Sequence, residues 1–92
     1  MAHKQLSNSK IKYLVVIYHL DQEDKGIRSI EIAKALEVSR PSAHAMLEKL
    51  SVMGCLEKKY YGIVHLTDKG RDIAEHYTPQ YQDLLNIINK TV

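Results

Sequence analysis

Between Ser9 and Leu20, Ile11, Leu14, Val15 and Tyr18 recur at helical spacing, and Val16 and Ile17 make a second side apolar as well. A helix that is apolar on more than one side is mostly buried. The run "DQEDKG" then reads as a polar turn with its break at Gly26. "SIEIAKALEV" predicts a short second helix that starts on Ser29 as its cap and turns Ile30, Ala33 and Ala35 or Leu36 inward. A third helix follows after only two or three residues, a spacing that suits the steep crossing of a helix-turn-helix. Ser39 is its N-cap, and Pro41 lies in the first turn, where no intrahelical N–H is needed. Ala43, Met46, Leu47, Leu50 and Met53 form its inward stripe, and Gly54 ends it.

After Gly54 the repeat shortens from the helical period to the strand period. "CLEKKYYGIVHL" alternates Leu56, Lys58 and Tyr60, then Val64 and Leu66, around a turn at Gly62, and reads as a two-stranded hairpin. A fourth helix opens on Thr67 with Ile73, Ala74 and Tyr77 on its inner face, its first turn slightly weakened by Gly70. Thr78 and Pro79 break or kink it before "QYQDLLNIINK" resumes. The order predicts a mainly α fold of the winged helix-turn-helix type: three helices, a two-stranded β-hairpin wing, and a C-terminal helix broken near Pro79. Residues 1–77 form the winged unit and residues 78–92 a C-terminal helix. The stripe Tyr77, Tyr81, Leu84, Leu85 and Ile88 runs across the break and is the candidate surface for self-association.

Composition narrows the picture. The 92 residues are 45% hydrophobic and 26% charged, which describes one small globular domain without room for an enzyme cleft of several layers. A single cysteine, Cys55, excludes an internal disulfide and suits a reducing compartment, where it serves as a small wedge in the core. No apolar run approaches the roughly 20 residues that span a membrane, and "MAHKQLSNSK" lacks the apolar core of a signal peptide, so the chain is expected in the cytoplasm. The net charge of +2 is uneven: residues 39–71 hold six basic residues (Arg40, Lys49, Lys58, Lys59, Lys69, Arg71) against three acids (Glu48, Glu57, Asp68). A polyanion would be met there.

The segments "KYLVVIYHL", "RSIEIAKALEVSRPSAHAMLEKLSVMG" and "GIVHLTDKGRDIA" resemble the N-terminal DNA-binding domain of the iron- and manganese-dependent repressors, the diphtheria-toxin-repressor family, across roughly residues 9–77. The motifs V-S-x-P-S, M-L-x-K-L and L-T-x-K-G-R fall in that family's order and spacing, although the MarR-type winged helices share something close to the last. The resemblance implies double-stranded DNA as partner, with Ser39, Pro41 and Ser42 touching bases and phosphates. It also implies a manganese or iron switch, yet the positions matching its ligands on the first and fourth helices read Lys12, Val15 and Tyr81. Such ions take carboxylate oxygen and imidazole nitrogen, so no metal or other cofactor is expected. The chain also ends before the family's further ligands and its dimerisation domain. His3, His19, His44, His65 and His76 show no i, i+3 or i, i+4 pairing and are expected at the surface or half-buried.

The face of the third helix opposite its stripe collects Ser39, Arg40, Pro41, Ser42, His44, Ala45, Glu48 and Lys49. Short polar and small apolar side chains on an anchored helix can distinguish base edges in a major groove. Pro41 and Ala45 suit thymine methyls, Arg40 a phosphate or guanine, Ser42 with the first-turn N–H groups a phosphate, and Lys49 a phosphate. On the wing, Lys58, Lys59 and the hydroxyl of Tyr61 or Tyr60 suit the backbone or minor groove. One recognition helix covers half of a typical operator, so a homodimer is expected, with help from the first helix. Three readings stand at this point: a sequence-specific DNA-binding regulator, a winged-helix protein-interaction module, or a metal-responsive repressor fragment. An enzyme is not expected, since no nucleophile is paired with a base and no Gly-rich phosphate loop exists.

Overall fold

The computed structural model describes residues 6–91, apart from the side chains of Tyr61 and residues 89–91; His3 lies outside them. The elements run α1 (Asn8–Leu20), β1 (Ile27–Arg28), α2 (Ser29–Leu36), α3 (Arg40–Val52), β2 (Leu56–Lys58), a 3₁₀ turn (Tyr60–Gly62), β3 (Ile63–Leu66), α4 (Asp68–Tyr77), a 3₁₀ turn (Thr78–Tyr81) and α5 (Gln82–Thr91). This is the winged helix-turn-helix that the pattern predicts, broken at Thr78–Pro79 where proline cannot continue the α4 ladder. Among the described residues, no helix is long and apolar enough to cross a membrane.

Two sides of α1 are buried in separate clusters. Tyr13, Leu14 and Ile17 meet Ile32 of α2, Leu47 and Leu50 of α3, Leu56 and Val64 of the sheet, and Ile73 of α4. Ile11, Val15 and Val16 meet Leu85 and Ile88 of α5. Each such aliphatic side chain contributes roughly 1.5–3 kcal/mol when removed from water, so α1 is the partition on which both layers depend. Its N-terminus is closed by Ser7, whose hydroxyl accepts the Lys10 amide at 3.2 Å.

The turn after α1 is tied by Asp21, whose two carboxylate oxygens accept the Lys25 and Gly26 amides at 2.9 and 2.8 Å. Gly26 has φ +94°, and a Cβ there would lie 2.6 Å from Ile63 Cγ2 and 2.7 Å from His65 Nε2. This close passage lays Ile27 and Arg28 along β3, opposite Val64 and Ile63. The sheet therefore has three antiparallel strands in the order β1-β3-β2, not two. Because β1 runs straight into α2, the N-cap of α2 is Arg28 without a side-chain cap bond, and Ser29 is already helical. Its buried residues are Ile32 and Ala33; Ile30, Ala35 and Leu36 are half-buried, since α2 sits between the two clusters rather than flat on one.

On the wing, β2 pairs with β3 in the register Leu56↔Leu66, Glu57↔His65 and Lys58↔Val64. Strand alternation stops at Lys58, and Tyr60 enters the 3₁₀ turn with 85% of its surface exposed. The wing hands over to α4 at Thr67, whose hydroxyl caps the helix at Gly70 N (3.2 Å) and lies 2.6 Å from the Gly54 carbonyl. Thr67 N–H also donates to Cys55 O at 3.1 Å, and Lys69 Nζ reaches Met53 O at 2.9 Å. Gly70 is what permits this seam: a Cβ there would stand 1.9 Å from the Cys55 carbonyl oxygen.

Two outcomes follow from this seam. Gly70→Ala lowers stability in urea unfolding by about 2–4 kcal/mol, opposite in sign to the gain of about 1 kcal/mol that helix propensity alone would bring. Cys55 is fully buried and burial pushes its thiol pKa up, so it resists a thiol reagent at mildly alkaline pH in the native protein and reacts after denaturation.

Candidate nucleic-acid interface

Ala43, Leu47 and Leu50 pin α3 to the core at 0–1% exposure, with Met46 and Met53 half-buried beside them. Ser39, Arg40, Pro41, Ser42, His44, Ala45, Glu48 and Lys49 are all exposed. The helix is held at its start by Ser39, which accepts the Ser42 amide at 3.2 Å and donates its hydroxyl proton to Ser42 Oγ at 2.9 Å. Ser42 therefore keeps its own hydroxyl proton for an outside acceptor.

The first turn of α3 offers fewer free amides than the sequence suggests. Pro41 has none, Ser42 N–H is capped, and Ala43 N–H bonds Ser39 O at 3.0 Å, which leaves the Arg40 N–H. A second donor set lies beside it. The uncapped start of α2 opens on a cleft of about 220 Å³ lined by Ser29, Ile30, Arg40, Ala43 and His44. Ser29, and Arg28 as the residue before it, thus lie beside the candidate face of α3. Sequence reasoning missed them because an Arg-Ser pair before a helix reads as a cap.

The wing cations are not free. Lys58 Nζ donates to Glu48 Oε1 on α3 at 2.5 Å, with the two side chains 31% and 56% exposed. That hydrogen bond holds the Glu48 carboxyl below the usual carboxylate range. Lys59 Nζ lies 3.5 Å from Glu57 Oε1. Arg71 bonds Asp24 at 2.7 Å and stands 3.7 Å from Asp68. Three of the six basic residues of the segment 39–71 are thereby paired with acids within the chain. Arg40 and Lys49 carry no ion pair among the described residues. The side chain of Tyr61 lies outside the described residues.

The C-terminal stripe divides. Leu85 and Ile88, expected at a contact between chains, are buried at 3% and 4% against α1. Tyr77, Tyr81 and Leu84 are half-buried around the same cluster. The outward residue is Ile87, 58% exposed, above a groove of about 670 Å³ that Leu20, Leu36 and Leu84 help to line. Sequence reasoning missed it because the side of α5 that meets α1 is set by how the chain turns after Pro79.

The positions matching the family's metal ligands carry neither carboxylate nor imidazole. Val15 is fully buried in hydrocarbon, Lys12 is itself a cation, and the Tyr81 hydroxyl donates to the Asn8 carbonyl at 3.4 Å. Asp21, Asp24 and His65 have ligand-type atoms within 4.8 Å of one another, a grouping their spacing does not announce. There the turn already uses both oxygens of Asp21, and Arg71 occupies Asp24.

Known proteins resemble this chain in sequence and fold. Over 76 residues the chain is 30% identical to the transcriptional regulator MntR of Escherichia coli O6:H1, covering 83% of this chain and 49% of that one. The chain thus spans about half the length of the curated relatives it matches. The solved structure of the manganese regulator SloR is 34% identical and superposes with a TM-score of 0.59, over 71% of this chain and 30% of that one. The transcriptional regulator SlyA (TM-score 0.71, 20% identical, 90% of this chain and 60% of that one) and the Staphylococcus aureus MepR–DNA complex (TM-score 0.71, 18% identical, 98% and 68%) share the fold. Residues 5–64 match the family described as iron dependent repressor, N-terminal DNA binding domain. On that match, which covers most of the helix-turn-helix and wing, the chain belongs to the iron-dependent repressor family through its N-terminal DNA-binding domain.

Proposed function

We propose that this chain is a sequence-specific reader of double-stranded DNA in the cytoplasm, acting as a transcriptional repressor without the family's metal switch. One observation carries the reading: the exposed face Ser39–Lys49 lies on a helix whose opposite side is anchored at 0–1% exposure. Such a helix can enter a major groove without unfolding any of its packing. Arg40 and Lys49 approach the DNA as uncommitted cations, while Ser42 and the start of α2 offer hydrogen-bond donors to phosphate. Metal independence rests on Lys12 and Val15, which offer no carboxylate or imidazole, and on Tyr81, whose hydroxyl is turned to the Asn8 carbonyl.

The reading includes a homodimer, because one recognition helix addresses half a site and two must lie about 34 Å apart to occupy successive turns of one groove. The surface proposed is the outer side of α5, with Ile87 at its centre and Tyr81 and Leu84 beside it, while Leu85 and Ile88 support it from within. A second reading, a winged helix that binds protein, draws on the neutralised wing, where Lys58 and Lys59 each face an acid.

A fluorescence-anisotropy titration with mixed duplex fragments separates the two. DNA reading gives binding that weakens steeply with salt, with a log–log slope of about −2 to −4 per chain for two to four phosphate contacts; a protein-binding module gives no such slope. Adding manganese, or a chelator, leaves the affinity within about twofold. Arg40→Ala weakens binding by about 1–3 kcal/mol and relaxes base preference at one position of a selected site. Ile87→Glu yields a single-chain mass in light scattering and loses affinity for a two-half-site duplex while keeping the native circular-dichroism spectrum.

A further inference from the structure

We infer that Glu48 is a positioning residue for the wing, which holds the Lys58 ammonium against α3 until a DNA phosphate displaces it. This rests on the DNA reading above and adds to it how the wing engages. Lys58 is the last residue of β2, and its side chain crosses from the sheet to the outward face of α3 to meet Glu48 at 2.5 Å. Its side chain is 31% exposed, against 78% for Lys25 in the turn after α1, whose pair with Glu23 stays wholly in solvent. The contact therefore joins two separate elements of the interface, the reading helix and the wing, through one ion pair.

Its location makes it an exchange rather than a fixed strut. Glu48 lies on the same exposed face as His44, Ala45 and Lys49, where a bound duplex would bring a row of phosphates. A carboxylate there repels the backbone, and the ammonium it holds is the group a phosphate would attract. Exposed pairs of this kind are weak, so a phosphate can replace the carboxylate as the partner of Lys58. In the free chain the arrangement orients the wing strand toward α3 and masks one cation from non-specific polyanions. On DNA it releases that cation. Sequence order hid the pair, since ten positions separate its members.

The test is a double-substitution cycle read by anisotropy with a bound duplex across a salt series. Glu48→Gln keeps the shape and removes the charge; it is expected to tighten binding about two- to fivefold at low salt, because no ion pair has to break, and to leave the log–log salt slope within about half a unit, because Lys58 meets a phosphate in both chains. Lys58→Gln is expected to weaken binding more in the Glu48→Gln background than in the unsubstituted chain, where the lost phosphate contact is partly offset because the pair no longer has to break. Additive effects of the two substitutions overturn the inference, since they would mean that Glu48 acts by bulk charge alone. So does unchanged or weaker binding by Glu48→Gln, the result of a merely structural contact. If the unsubstituted chain shows no salt-dependent binding at all, the DNA reading falls and this inference with it, an outcome distinct from the other two.

Discussion

The burial of α1 on two sides governs the rest of this molecule. Tyr13, Leu14 and Ile17 belong to one cluster and Ile11, Val15 and Val16 to another, so a single helix supplies a wall to each. Without it, α3 would lose the surface against which Leu47 and Leu50 pack, and α5 would have no bed for Leu85 and Ile88. The same helix is where the metal-dependent members of the family place acidic ligands. Here Val15 fills that position with a methyl-bearing side chain at 0% exposure. A coordination bond joins helices only when the ion is present, whereas apolar burial does so permanently. At this position the junction between α1 and α5 is apolar.

From that fixed core the interface is built by geometry more than by charge. The net charge of +2 is small, and three of the basic residues on the segment facing outward are matched by nearby acids: Lys58 by Glu48, Lys59 by Glu57 and Arg71 by Asp24. Attraction of a polyanion at long range is accordingly modest. What the chain offers instead is a rigid, small-featured face on which Ser39 is already bonded to Ser42 and Pro41 has a fixed φ. The capped start of α3 has little backbone conformational entropy left to lose on docking.

Much of this was legible in the sequence where local chemistry decides. The Ser39 and Thr67 caps, the α3 stripe and the Thr78–Pro79 break each follow from residues within one or two turns, and the structure forms them in place. Pairings between distant segments were not legible. β1 is two residues long, too short to show a period, and exists because Gly26 lets the chain press on β3. Ile32 rather than Ile30 enters the core because α2 lies between two clusters, a fact about its neighbours and not about its own pattern. The C-terminal stripe was correctly seen as apolar, but which side of it meets α1 depends on how α5 turns after the proline. The Glu48–Lys58 and Arg71–Asp24 pairs, with members ten and 47 positions apart, arise from folding alone.

The central claim, that the outward face of α3 is the reading surface, is tested most directly by following backbone amide chemical shifts as duplex DNA is added to the labelled chain. The claim predicts shifts that concentrate on Ser39–Lys49, the start of α2 and the wing, and leave α1 unmoved. Shifts that gather on the groove between α2 and α5, with Ser39–Lys49 unchanged, would contradict it.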